Sequence, residues 1–289
     1  MPHSLFPAPT TLHSPHGRLL DLRTPQVMGI LNLTPDSFFA GSRVASEKDL
    51  LTRAEHMLLA GATVLDLGAY STRPGAHDIS PAEEESRLLP ALALVRREFP
   101  QAFLSVDTFR APIAGAAVAA GADLVNDVGG GTLDAEMFAT VARLRVPYVL
   151  MHLRGTPQTM TTLTDYGGDV VLALLRYFRD SLTALRQAGA TQVVLDPGFG
   201  FAKTAAQSHE LLRRLPELAL LGRPVLAGIS RKRLVYQPLG LSAEQALNGT
   251  TALHMLALQG GARLLRVHDV AEAQQVVRLF LNIFPRGNG

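Results

Sequence analysis

Four times the chain repeats one local pattern. Ala60-Gly61-Ala62 leads into TVLDL, Ala120-Gly121-Ala122 into DLVND, Ala188-Gly189-Ala190 into TQVVLD, and Gly260-Gly261-Ala262 into RLLRVHD. Each glycine reads as a left-handed helix stop. Each run that follows is short and apolar, as strands buried on both faces are. A chain alternating helix, glycine stop and buried strand builds a parallel sheet, and each of these strands ends in polar residues: Asp66, Asn126, Asp196, and Arg266 with His268.

Further strands are read at Ala102–Val106, Pro147–Met151 and Pro224–Gly228. The run Val27-Met28-Gly29-Ile30-Leu31 makes the eighth, ending before Pro35, which cannot continue a central strand. Helices fill the gaps. Ser80-Pro81-Ala82-Glu83 is a start signal of cap, proline and cap-box glutamate. Ser46 is read as the cap of an earlier helix, and Ala111–Ala120, Val170–Gln187, Ser242–Leu258 and Val270–Phe284 supply others. The pattern predicts an α/β fold, a single TIM-type (β/α)8 barrel over residues 18–289. An open doubly wound sheet is the alternative, but no G-x-G-x-x-G follows the first strand. Residues 1–17 read as a loosely ordered arm. Gly17–Leu22 is expected to pair with the segment before Val27, as a short hairpin closing the barrel's bottom.

Composition removes several function classes. Net charge is only +2, with no basic cluster, so nucleic acid is not an expected partner. Cysteine is absent, which excludes disulfides, zinc–thiolate sites and cysteine catalysis and suits a reducing cytoplasm. No signal peptide opens the chain and no run is apolar enough to span a membrane, so a cytoplasmic location is expected.

The strand tips carry the chemistry. Asn32 ends the first strand; Thr72, Arg73 and Pro74 follow the second; Asp107, Asn126 and Asp196 end the third, fourth and sixth. Lys232 and Arg233 follow the seventh, and Arg266 and His268 share one face of the eighth. A single aspartate at a strand end is usually a turn residue. Several converging on one barrel mouth suit a flat heterocycle with a donor edge. A metal is the other reading, though no histidine stands beside them at ligand spacing. Arg73, Arg266 and His268 make a cationic zone fit for phosphate. Asn32 is placed to meet a Mg²⁺ that a phosphate carries in. His152 reads as a satisfied structural histidine, and His56, His209 and His254 as ordinary helix or surface residues.

MGILNLTPDSF, STRPGA, SVDT, NDVGG, MHLRGTPQTM, LDPGFGF, SRKR and RVHDV, in this order over Val27–Val270, closely resemble the dihydropteroate synthase family. The resemblance implies a TIM barrel that joins 6-hydroxymethyl-7,8-dihydropterin diphosphate to p-aminobenzoate, with Mg²⁺ and as a homodimer. It implies that Asp107, Asn126, Asp196 and Lys232 hold the pterin, and that Thr72, Arg73, Arg266 and His268 hold the diphosphate. Phe38, Pro74, Phe201 and Arg233 would then form the p-aminobenzoate site, and Asn32 would meet the metal. Asp107, Asp196, Lys232 and Arg266 are the expected catalytic set. The chain departs from the family at Tyr70, where members usually have Glu, at Phe39–Ser42, at Leu153 and at Arg233. A pterin-binding methyltransferase domain on the same barrel, which would not need Arg73, Arg266 and His268, is a rival. A non-catalytic pterin-binding paralogue is another.

Overall fold

The computed structural model describes residues 10–33, 43–71 and 78–285. The chain enters through an antiparallel hairpin, β1 (Thr11–His13) and β2 (Leu19–Asp21). Then come β3 (Gln26–Asn32), α1 (Arg43–Leu59), β4 (Val64–Gly68), α2 (Pro81–Glu98), β5 (Phe103–Asp107), α3 (Ala111–Ala119) and β6 (Leu124–Asp127). They are followed by α4 (Met137–Leu144), β7 (Tyr148–Met151), α5 (Val170–Ala188), β8 (Val193–Asp196) and α6 (Ala205–Arg213). β9 (Val225–Ala227), α7 (Arg233–Tyr236), α8 (Leu247–Gln259), β10 (Ala262–Val267) and α9 (Val270–Ile283) complete the chain. Strands β3 to β10 are all parallel, and β10 pairs with both β9 and β3, so the sheet is a closed barrel. This is the (β/α)8 barrel that the alternation predicts.

The glycine stops behave as expected. Gly61, Gly121, Gly189 and Gly261 have φ of 100°, 107°, 98° and 97°. The next alanine amide reaches back five residues: Ala62 to Met57 at 2.8 Å, Ala122 to Ala117 at 2.9 Å, Ala190 to Leu185 at 2.8 Å. These bonds satisfy carbonyls the helix leaves open and turn the chain straight into the next strand. The end of α4 uses the same turn without glycine: Arg145 sits there at φ 52°. Ser80 caps α2 by accepting from the Glu83 amide at 3.1 Å.

Side-chain alternation divides the core in two. Outward residues pack against the helices. Inward, each barrel strand contributes one apolar side chain to a single cluster: Met28, Val64, Phe103, Leu124, Val149, Val194, Leu226 and Leu264. Leu12, Leu20 and Leu22 of the hairpin join that cluster and plug the barrel from below. Buried Asp123 pins the plug, accepting from Arg18 Nε at 2.8 Å, Arg96 Nη2 at 2.7 Å and the Leu104 amide at 2.8 Å.

The structure differs from the sequence expectations at several places. The partner of Leu19–Asp21 is Thr11–His13, upstream, not the segment before Val27. Thr11–His13 is therefore strand rather than loose arm, because Leu12 is buried in the plug. Helix α1 starts at Arg43, so Ser46 falls inside it, and α8 starts at Leu247 rather than Ser242. The last helix divides its apolar residues: Phe280 is core, while Leu279 and Ile283 are exposed.

Candidate active site

The apolar plug sets the floor of the mouth. Two residues further along each strand the side chains point the same way, and there the inner surface turns polar. Val64 is followed by Asp66, Phe103 by Ser105, Leu124 by Asn126, Val194 by Asp196 and Leu264 by Arg266. Asp66 is fully buried. Its carboxylate accepts from Ser105 Oγ at 2.5 Å, Asn126 Nδ2 at 3.0 Å and Arg266 Nε at 2.6 Å. Arg266 Nη2 also donates to Asp107 Oδ2 at 2.5 Å. One guanidinium thus spans two carboxylates from different strands, and four strand tips become one network.

Electrostatics in this layer follow from burial. Burial pushes the Asp107 carboxyl up to about 7, Arg266 pulling the other way and Asp66 adding to the rise. Burial works against the Arg266 charge, but Asp66 and Asp107 outweigh it and its pKa rises. Asp196 is also raised by burial, with Lys232 opposing. Burial lowers Lys232 to about 8. Asp196 and Lys232 flank Gly228: a Cβ there would lie 3.8 Å from Asp196 Oδ2 and 3.5 Å from Lys232 Nζ. Lys232 Nζ donates to the Phe199 carbonyl at 2.9 Å and lies 4.6 Å from the centroid of the Phe201 ring. Phe201 is half-buried against an apolar wall of Val128, Met151, Leu153, Met160 and Ala202. Asn32 ends β3 beside Gly68, which pairs in turn with Asp107. His268 is oriented by Ser230, whose Oγ lies 3.1 Å from its Nδ1. Arg233 opens α7 and is exposed.

The loop after β8 is stapled from beneath. Lys203 is buried, and its Nζ reaches His152 Nδ1 at 2.9 Å, the Gly198 carbonyl at 3.1 Å and the Phe201 carbonyl at 3.0 Å. Burial holds His152 well below its ordinary pKa, with Lys203 adding to the effect. The ring is therefore neutral, and Nδ1 accepts a hydrogen bond from Lys203 Nζ. Gly198 must be glycine: φ is 67°, and a Cβ would come within 2.3 Å of the His152 carbonyl. Its amide donates to Asp196 Oδ1 at 2.8 Å and so orients that carboxylate.

The structure brings Asn32, Asp107, Asn126, Asp196, Lys232, Arg266, His268 and Phe201 to one barrel end. Phe38, Thr72, Arg73 and Pro74 lie outside the described residues. Arg231, part of the basic run, faces Asp269 in a two-pronged ion pair at 2.8 and 2.7 Å and so serves the scaffold. Sequence reasoning missed Asp66, Ser105 and Lys203 as site residues. The signal for Asp66 was present: an aspartate in step with Val64 inside a buried strand must have partners. His152 fits its structural reading. His254 lies on a helix, as read, but is buried, with no hydrogen-bond partner for either ring nitrogen among the described residues.

No group of three or more His, Asp or Glu able to hold a metal occurs among the described residues. Asn32 offers a neutral amide oxygen at the end of β3. That donor set suits a Mg²⁺ bound chiefly by substrate phosphates and water rather than a resident ion.

Carboxylates, an amide and cations interleaved at one barrel mouth define the class: a (β/α)8 enzyme for a polar ring bearing an anionic group. Residues 28–268 match the sequence profile of the family described as pterin binding enzyme. A dihydropteroate synthase of Synechocystis is 43% identical over 259 residues, 88% of each chain. The Xanthomonas albilineans dihydropteroate synthase solved with 4-aminobenzoic acid is 39% identical, with a TM-score of 0.87 over 96% of this chain and 99% of that one. The same organism's enzyme in complex with 7,8-dihydropteroate is 37% identical, with a TM-score of 0.85 over 96% and 100%. The chain belongs to the dihydropteroate synthase family of pterin binding enzymes.

Proposed function

We propose that this protein joins 6-hydroxymethyl-7,8-dihydropterin diphosphate to p-aminobenzoate, releasing pyrophosphate and 7,8-dihydropteroate. The observation that carries the reading is the convergence of Asp107, Asn126 and Asp196 with Lys232 and Arg266 on one mouth. The three acceptors match the N–H and amino edge of a pterin. Lys232 matches its carbonyl and ring nitrogen. Arg266 and His268, with Thr72 and Arg73, serve the diphosphate.

The bond between the pterin methylene and the diphosphate oxygen breaks with its electrons going to the leaving group. Cations stabilise that charge. A Mg²⁺ arriving with the diphosphate and held by Asn32 would add Lewis-acid stabilisation. Asp107 and Asp196, desolvated in the mouth, stabilise the cationic character left on the pterin. The aniline nitrogen then attacks the methylene carbon, and the anilinium so formed loses one proton to the departing pyrophosphate or to water. The attacking amine is neutral at pH 7 and needs placement more than deprotonation. Phe201, with Phe38 and Pro74, gives its ring an apolar wall, and Arg233 is placed to meet its carboxylate.

The test is pyrophosphate release that requires both pterin diphosphate and p-aminobenzoate. Turnover with a methyl donor and without pyrophosphate would instead mark the methyltransferase, and pterin binding with no turnover the non-catalytic paralogue. We further read the protein as cytoplasmic and as a homodimer. Leu256, Leu279 and Ile283 leave an apolar surface on α8 and α9 that a second copy would cover. Sedimentation at micromolar concentration checks this: a monomer would remove the dimer.

A further inference from the structure

We propose that Asp66, which is fully buried behind Asn126 and Arg266, is the residue that decides which chemical edge the mouth accepts. The inference rests on the pterin reading above. An ionised carboxylate has no proton to donate. When Asn126 approaches Asp66 at 3.0 Å it must therefore turn its Nδ2 inward. Its Oδ1 is then the atom facing a ligand donor. Had an amide or hydroxyl stood at position 66, Asn126 would be free to turn either way, and the mouth would accept a ligand acceptor as readily.

Asp66 acts on Arg266 in the same way. It takes Nε at 2.6 Å, which leaves Nη2 to reach Asp107 at 2.5 Å. Ser105 Oγ occupies the other carboxylate oxygen at 2.5 Å. The carboxylate is thus held on both oxygens from three strands, β5, β6 and β10, and each donor is tied to it. A single buried charge fixes the amide of one ligand-facing group and the guanidinium plane of another. Neither Asn126 nor Arg266 carries this information itself, because an amide and a guanidinium each have several equivalent ways to sit.

The consequence is a polarity filter. With Asp66 in place the inner edge reads acceptor, acceptor, acceptor: Asp107, Asn126 Oδ1, Asp196. A 2-amino pterin matches it. Its 2-oxo counterpart, with a carbonyl in place of the amino group, sets oxygen against oxygen.

The experiment measures binding of 6-hydroxymethylpterin and its 2-oxo counterpart by calorimetry, without turnover. The wild type should prefer the pterin by tenfold or more. In Asp66→Asn the new amide can donate to Asn126 Oδ1 and turn it. Pterin affinity should then fall by tenfold or more while the 2-oxo ligand holds or gains, so the preference collapses. The exchange D66N/N126D restores a carboxylate facing an amide with the roles reversed, and should recover most of the preference. It also keeps the proposal open to refutation if Asp66→Asn alone does not fold, since an exchange variant without the preference overturns the proposal. Equal loss of both ligands in Asp66→Asn would make Asp66 merely structural and overturn it, as would an unchanged preference. Pyrophosphate release by the wild type tests the enzymatic reading separately: selective binding without turnover would overturn that reading and leave the filter standing.

Discussion

Replacing Arg266 by Met removes the one cation that spans Asp66 and Asp107. Met keeps the aliphatic stem, so the perturbation is the loss of two ion pairs at 2.6 and 2.5 Å. The side chains involved are 18%, 0% and 14% exposed, so solvent replaces the arginine only in part. Breaking a buried ion pair from one side costs about 3–5 kcal/mol. Counting two charge-assisted hydrogen bonds at roughly 1.5–3 kcal/mol each gives about 3–6 kcal/mol. The two routes agree. Urea unfolding at pH 8 should therefore show a midpoint lower by more than about 1 M. The pH dependence sharpens the test. Asp107 is already raised from 3.8 to about 7 with Arg266 pulling it down, and without the arginine it rises further. A carboxyl whose folded-state pKa exceeds its unfolded value favours the fold while protonated, and that contribution is lost as pH rises through the folded value. The gap between wild type and variant should thus be smaller at pH 6 than at pH 8. A destabilisation below about 1 kcal/mol, well short of the buried-pair range, or a gap equal at the two pH values, would refute the network as described.

Three other outcomes are expected. Arg145→Gly should raise the melting temperature by a few degrees, because φ 52° strains an L-residue by about 1–2 kcal/mol, only partly offset by the looser unfolded chain; a lower melting temperature would contradict the turn. Lys203→Met should raise KM for p-aminobenzoate roughly tenfold while kcat changes little, since Phe201 loses the bond holding its backbone. A fall in kcat with KM unchanged would place Lys203 elsewhere in the cycle. Pterin affinity should increase from pH 6 to pH 8, roughly tenfold, because about a tenth of a carboxyl is ionised one unit below a pKa of about 7. Asp107→Asn should flatten that profile, and a variant retaining the slope would assign it to another group.

Much of this architecture could be read directly along the chain because its causes are local. A helix stop needs a left-handed residue and a buried strand needs a short apolar run. Gly61, Gly121, Gly189 and Gly261 meet the first requirement and the runs after them the second. The polar tips were legible for the same reason: Asp107, Asn126 and Asp196 stand at or next to the ends of strands that begin apolar. What the barrel's closure decided is who meets whom. Asp66 and Arg266 are 200 residues apart, and Lys203 and His152 are 51 apart. No spacing rule joins them. Their contact depends on the register of eight strands around one axis and on the tilt of each, which are properties of the closed sheet. The hairpin shows the same division, since its apolar residues marked it for burial but only the open lower end of the barrel made Thr11–His13 its second strand.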